Sequence, residues 1–115
     1  MTYHVEFFRT SAGDSPTEDF LESLPLRVKA KAGAWINLLQ EKGPNLLRPY
    51  ADVLEGPIRE LRISFARLEI RLLYFIHGKS IVLTHGFMKK TEKVSQGEID
   101  RALRYRSIWL AVFGG

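Results

Sequence analysis

The run Leu68-Glu69-Ile70-Arg71-Leu72-Leu73-Tyr74-Phe75-Ile76 is followed, after His77-Gly78-Lys79, by Ser80-Ile81-Val82-Leu83-Thr84-His85-Gly86-Phe87. Both runs are rich in the β-branched and aromatic residues that suit a pleated, half-buried surface. A break of three residues containing Gly is the length of a hairpin connection. The pair therefore predicts two antiparallel strands, over 68–76 and 80–87, and these organise the rest of the chain.

Upstream, Ile58-Arg59-Glu60-Leu61-Arg62 opens a third strand over 58–64, close enough to the hairpin to pair with it. Tyr3, Val5 and Phe7 alternate with His4 and Glu6, the period of a strand with one buried face. Ser15-Pro16-Thr17-Glu18 is a capping box with Pro at the first helical position and predicts a short helix to about residue 23. Beyond Pro25, Val28, Ala32, Trp35, Ile36 and Leu39 recur at helical spacing until Gly43-Pro44 stops the helix. Residues 45–55 read as a connection anchored by Leu46, Leu47 and Val53. Ser95-Gln96-Gly97-Glu98 is a second capping box, opening a last helix with Ile99, Ala102, Leu103 and Leu110 inward. Tyr105 and Trp109, at i and i+4 on that helix, fit either the sheet or a partner. The expected order is βααβββα. It describes one α+β domain over 1–115, with a small, mainly antiparallel sheet and helices packed on one face.

At 115 residues, the chain has room for one core. Its net charge of +4 is unevenly placed. Residues 1–56 carry six basic against eight acidic residues, and residues 57–115 carry eleven against five. The positive potential belongs to the half that holds the hairpin, which favours an anionic partner there. With no cysteine, thiol nucleophiles and thiolate metal sites are excluded. The three histidines are too scattered for a ligand set, so neither metal nor cofactor is expected. No phosphate-cradling Gly-rich loop, nucleophile elbow or zinc-protease motif is present. The start of the chain has no charged-then-apolar secretory pattern, and no apolar run approaches a membrane span, so the expected location is the cytoplasm, away from membranes.

Alternation sorts the strand residues by face. Arg71 shares a face with Leu73 and Phe75, and Glu60 shares one with Arg62. If the Leu61 and Ile70 faces both pack on helices, Glu60, Arg62 and Arg71 meet on the open side and line a shallow groove. Lys89 and Lys90, after the last strand, would close its rim. Guanidinium groups grip phosphate bidentately and stay charged, so such a groove suits RNA. A network of ion pairs at a solvated sheet edge is the other reading of the same residues. His85, grouped by alternation with Ile81, Leu83 and Phe87, is either a proton carrier near neutral pH or a core-edge histidine with a satisfied hydrogen bond.

In combination, Glu60-Leu61-Arg62, Arg71 followed by Leu72-Leu73-Tyr74, and His85-Gly86-Phe87-Met88-Lys89-Lys90-Thr91 resemble the RelE/HigB superfamily of toxin–antitoxin toxins. The pattern, over about 54–93, is most similar to the phage-derived, HigB-like branch. That resemblance implies a ribosome-dependent endoribonuclease (an mRNA interferase) that stops translation. In its chemistry a 2′-hydroxyl attacks the adjacent phosphate, the 5′-oxygen leaves, and no metal takes part. By position, Arg71 matches the strand arginine at the scissile phosphate, Lys89-Lys90 match the basic pair after the last strand, and Arg62 falls where relatives carry a basic residue. Lys93 extends the RNA-binding set of Arg62, Lys89 and Lys90. Relatives place a catalytic Tyr or His after the basic pair or at the C-terminus, whereas Thr91-Glu92-Lys93-Val94 stands here. Glu60, His85 and the lysines are left as substitutes. The implied partners are a cognate antitoxin of helix-turn-helix type, the ribosome and its mRNA, with DNA reached only through the antitoxin. Two alternatives stand beside this reading: a ParE-like, non-catalytic inhibitor of DNA gyrase, and a basic protein-binding module without nuclease activity.

Overall fold

In the computed structural model, which describes residues 2–114, the hairpin is central. Its strands are β4 (Leu68–His77) and β5 (Ser80–Met88), and Gly78, at φ +60°, takes the left-handed turn position between them. Preceding them are β1 (His4–Phe7), α1 (Pro16–Glu22), α2 (Leu26–Lys42), β2 (Ala51–Glu55) and β3 (Ile58–Phe65); α3 (Gln96–Phe113) follows. The five strands lie in the order β1-β5-β4-β3-β2. β1 runs parallel to β5, with His4 beside Ser80 and Phe7 beside Leu83, and every other pairing is antiparallel.

The α+β class and the mainly antiparallel sheet are as expected, with two corrections. Residues 45–55 are not simply a connection, because 51–55 add β2 at the sheet edge beside β3. Only Leu46 of the three supposed anchors is buried; Leu47 and Val53 are exposed. An edge strand of five residues with Asp52 and Glu55 in it carries the charges that discourage further pairing, and these mask it as a loop. The second correction concerns the layers. α1 and α2 cover Leu61, Ile63, Ile70, Leu72, Tyr74, Ile81 and Leu83, as alternation requires. The opposite face is not open, since α3 lays Ala102 and Trp109 on Ile58, Leu73, Phe75 and Val82. Those four would otherwise form an apolar patch in water, and their burial is what draws the helix across.

The aromatic residues of α3 dock on this second face. Tyr105 stacks on Phe8 with ring centroids 4.5 Å apart, and Trp109 meets Phe75 edge-on at 5.5 Å. On the first face the strands and helices approach closely at Gly86, where a Cβ would come within 2.5 Å of both Leu72 and Phe20. Ser15 caps α1, accepting from the Glu18 amide at 3.1 Å. Ser95 occupies the N-cap of α3 without a side-chain cap bond, and the Glu98 carboxylate is turned inward to His85. No helix among the described residues is long and apolar enough to cross a membrane.

Candidate active-site cleft

α3 covers only part of the second face. Toward β2 and the far end of β3, that face carries Asp52, Glu60, Arg62 and Arg71 in place of apolar residues, with Arg62 opposite Arg71 and Asp52 opposite Glu60 across the ladders. Over this end pass the residues that follow β5 and the first turn of α3. The space between is a cleft of about 540 Å³, with Arg48, Asp52, Glu60 and Arg62 on the sheet side and Lys89, Glu92, Lys93 and Gln96 on the other.

At its floor, Glu60 is 3 % exposed and holds two guanidinium groups. Arg62 Nη1 donates to Glu60 Oε2 at 2.8 Å, and Arg71 Nε lies 3.1 Å from Glu60 Oε1, an ion pair not aligned as a hydrogen bond. Arg71 also donates through Nη1 to Glu69 at 3.2 Å and to the Ile70 carbonyl at 2.9 Å. The Ser64 hydroxyl, and after it Arg71, hold the Glu69 carboxyl below its usual range. On the β2 wall Arg48 grips Asp52 at 2.7 Å and keeps that carboxyl likewise low. By contrast, no carboxylate lies within ion-pair distance of the Lys89, Lys90 or Lys93 ammonium groups among the described residues.

The expected cluster of Glu60, Arg62 and Arg71 is therefore real, but its members differ in depth. Arg62 keeps 26 % of its side chain in solvent, whereas Arg71 is buried beneath the groove it was expected to line. Lys89 and Lys93 face the cleft, and exposed Lys90 lines a smaller adjoining hollow of about 190 Å³. Arg48, Asp52, Glu92 and Gln96 are cleft residues that the sequence reading passed over. The alternation in Ala51-Asp52-Val53-Leu54-Glu55 was the signal that could have found the first wall.

His85 is displaced from its expected face. Tyr74 pairs with Leu83 and Leu73 with His85, so Thr84 is an extra residue in β5. This bulge inverts the alternation and separates His85 from Ile81 and Leu83, aiming it under α3. There the ring is fully buried, with Nε2 3.0 Å from Glu98 Oε1 and Nδ1 3.1 Å from Thr84 Oγ1. Burial first, and the nearby Arg101 second, push its pKa down from 6.5 to about 4. The imidazole is neutral at pH 7; with a carboxylate at Nε2 its proton is assigned there, and Nδ1 lies beside the Thr84 hydroxyl, which donates to the Leu73 carbonyl at 3.2 Å. The histidine ties α3 to the sheet and does not reach the cleft.

The arrangement can neutralise a polyanion, with the Lys89 and Lys93 ammonium groups on one wall facing the Arg62 guanidinium held by Glu60. Comparison with known proteins agrees with the fold. The chain is similar to a chain of the toxin–antitoxin complex RelBE2 from Mycobacterium tuberculosis, at 19 % identity and a TM-score of 0.57, over 77 % of this chain and 100 % of that one. No curated protein matches the sequence. Residues 19–107 match the model of a family described as phage derived protein Gp49-like (DUF891). The match spans well over half the chain and accords with the phage-derived branch read from the Glu60-to-Thr91 pattern, so the chain belongs to the Gp49-like family.

Proposed function

We propose that this protein is the toxin of a type II toxin–antitoxin pair and an endoribonuclease that cuts mRNA on the ribosome. The observation that carries the reading is the cleft itself, where the unpaired Lys89 and Lys93 face Arg62 across a space open to a nucleic-acid backbone. Arg62, Lys89 and Lys93 take the phosphates and stabilise charge as the 2′-hydroxyl oxygen bonds to phosphorus and the 5′-oxygen departs. Lys90 holds the strand beyond the cleft. Arg71 acts from beneath as a positioning residue, fixing Glu60, which in turn fixes Arg62. The ribosome supplies the alignment of the reacting nucleotide, worth more than any single side chain in such a reaction. An antitoxin of helix-turn-helix type, through which alone the toxin reaches DNA, and a cytoplasmic setting complete the proposal.

Inhibition of DNA gyrase is a second reading, favoured by one observation: among the described residues no His or Tyr lines the cleft. The experiment separates them. Purified ribosomes programmed with a defined mRNA are incubated with the chain and with its Arg62→Ala and Lys89→Ala/Lys93→Ala variants, and gyrase supercoiling is assayed in parallel. Cleavage by the parent that both variants lose supports the nuclease. Intact mRNA with blocked supercoiling establishes the inhibitor, and activity in neither assay leaves the basic binding module.

A further inference from the structure

A 2′-hydroxyl must lose its proton to become a nucleophile, and Glu60 and His85, two of the substitutes left by the sequence, are unsuited to taking it. His85 is sealed under α3, and the cleft has no phenol or imidazole of its own. Three carboxylates line the cleft. Glu60 is buried between two guanidinium groups, with Oε2 accepting from Arg62 at 2.8 Å and Oε1 in an ion pair 3.1 Å from Arg71, and protonating it would leave the two cations facing each other at a buried position. Asp52 has Oδ2 on Arg48 at 2.7 Å and Oδ1 on the Val53 amide at 2.9 Å. Glu92 differs from both. Its side chain is exposed, it has no ion-pair partner among the described residues, and it enters the cleft from the same segment as Lys89 and Lys93. Glu98, the next carboxylate along, is spent on His85.

We propose that Glu92 is the general base of this enzyme, an assignment that rests on the nuclease reading above. The Glu92 carboxylate takes the 2′-hydroxyl proton as the bond from the 2′-oxygen to phosphorus forms. The bond from phosphorus to the 5′-oxygen breaks, and the Lys89 or Lys93 ammonium gives that oxygen a proton. The products are a 2′,3′-cyclic phosphate and a 5′-hydroxyl, with no water consumed, and solvent exchange returns the proton from Glu92 to the lysine. The charged groups facing Glu92 are Arg48 from the turn before β2, Asp52, Glu60 and Arg62 from the sheet, and Lys89 and Lys93 from its own segment.

The test is single-turnover cleavage of mRNA on preformed toxin–ribosome complexes between pH 5.5 and 8, with ribosome affinity measured separately. Glu92→Gln is expected to slow cleavage roughly 100-fold or more with affinity unchanged, the usual effect of losing a general base. Glu92→His is expected to recover part of the rate, with an acidic limb moved to about pH 6.5, the reference value of imidazole. A Glu92→Gln variant that cleaves at the parent rate overturns the proposal while leaving the nuclease in place. So does a Glu92→His variant with the parent's pH profile. A parent chain that leaves the mRNA whole removes the nuclease reading itself.

Discussion

Glu60 is shared by two arginines whose surroundings give them different work. Arg71 is 1 % exposed and closes a chain from Glu60 to Glu69, whereas Arg62 stands at the edge of the cleft. Losing Arg71 removes a fully buried partner and leaves Glu60 with only the part-exposed Arg62, and breaking a buried ion pair costs about 3–5 kcal/mol. Arg71→Ala should therefore lower the stability of the chain by that amount in urea unfolding. Arg62→Ala should move the midpoint far less, because the Arg62 side chain is part-exposed and its loss leaves the fully buried Glu60–Arg71 pair intact, yet it should depress RNA cleavage. A comparable loss of stability in the two variants would refute this division. The grouping of these residues was legible in the sequence because a two-residue period assigns each side chain to a face. Their depth was not, since depth depends on what crosses that face, and the residues doing so come from 89–99, beyond the strands themselves.

At the scale of the elements, the bulge at Thr84 accounts for most of what sequence periodicity missed. Up to Leu83 alternation assigns the faces of β5 correctly; past the extra residue every side chain changes sides, and His85 goes from the α1–α2 layer to the α3 layer. Period-2 reasoning has no term for an inserted residue. β2 was missed for a different reason, as its pattern is short, charged and preceded by Pro49. The strongly periodic helices, by contrast, were legible almost to their ends. The buried His85 also sets a pH dependence. In the unfolded chain it binds a proton near 6.5, and in the folded protein only near 4, so between these values the unfolded state holds more protons. Stability is then full above pH 6.5 and falls as the pH is lowered toward 4, by on the order of 2 kcal/mol between pH 7 and pH 5. Urea titrations at those two pH values should show the loss, and His85→Gln should reduce it.

Across the whole molecule, the acidic first half supplies both helices of one layer, and the basic second half supplies the cleft rim and α3. Binding to RNA should accordingly be strongly salt-dependent. Each lysine that neutralises a single-strand phosphate contributes about 0.7 to the slope of log affinity against log salt. Replacing Lys89, Lys90 and Lys93 together by Ala should flatten that slope by about 2 in fluorescence titrations of a short single-stranded RNA. An unchanged slope would place the RNA elsewhere. The parallel pairing of β1 with β5 has a consequence for the order in which the molecule is made. His4 leaves the ribosome long before its neighbour Ser80 exists, so β1 waits, without its partner, for β5. The lysine wall of the cleft follows still later, at positions 89 and 93. A nascent chain of this protein carries Arg62 for some thirty residues of synthesis before anything faces it. The sheet closes and the charged cleft is completed only once residues 80–93 have been made, so a nascent chain shorter than that lacks the lysine wall that the proposed reaction needs.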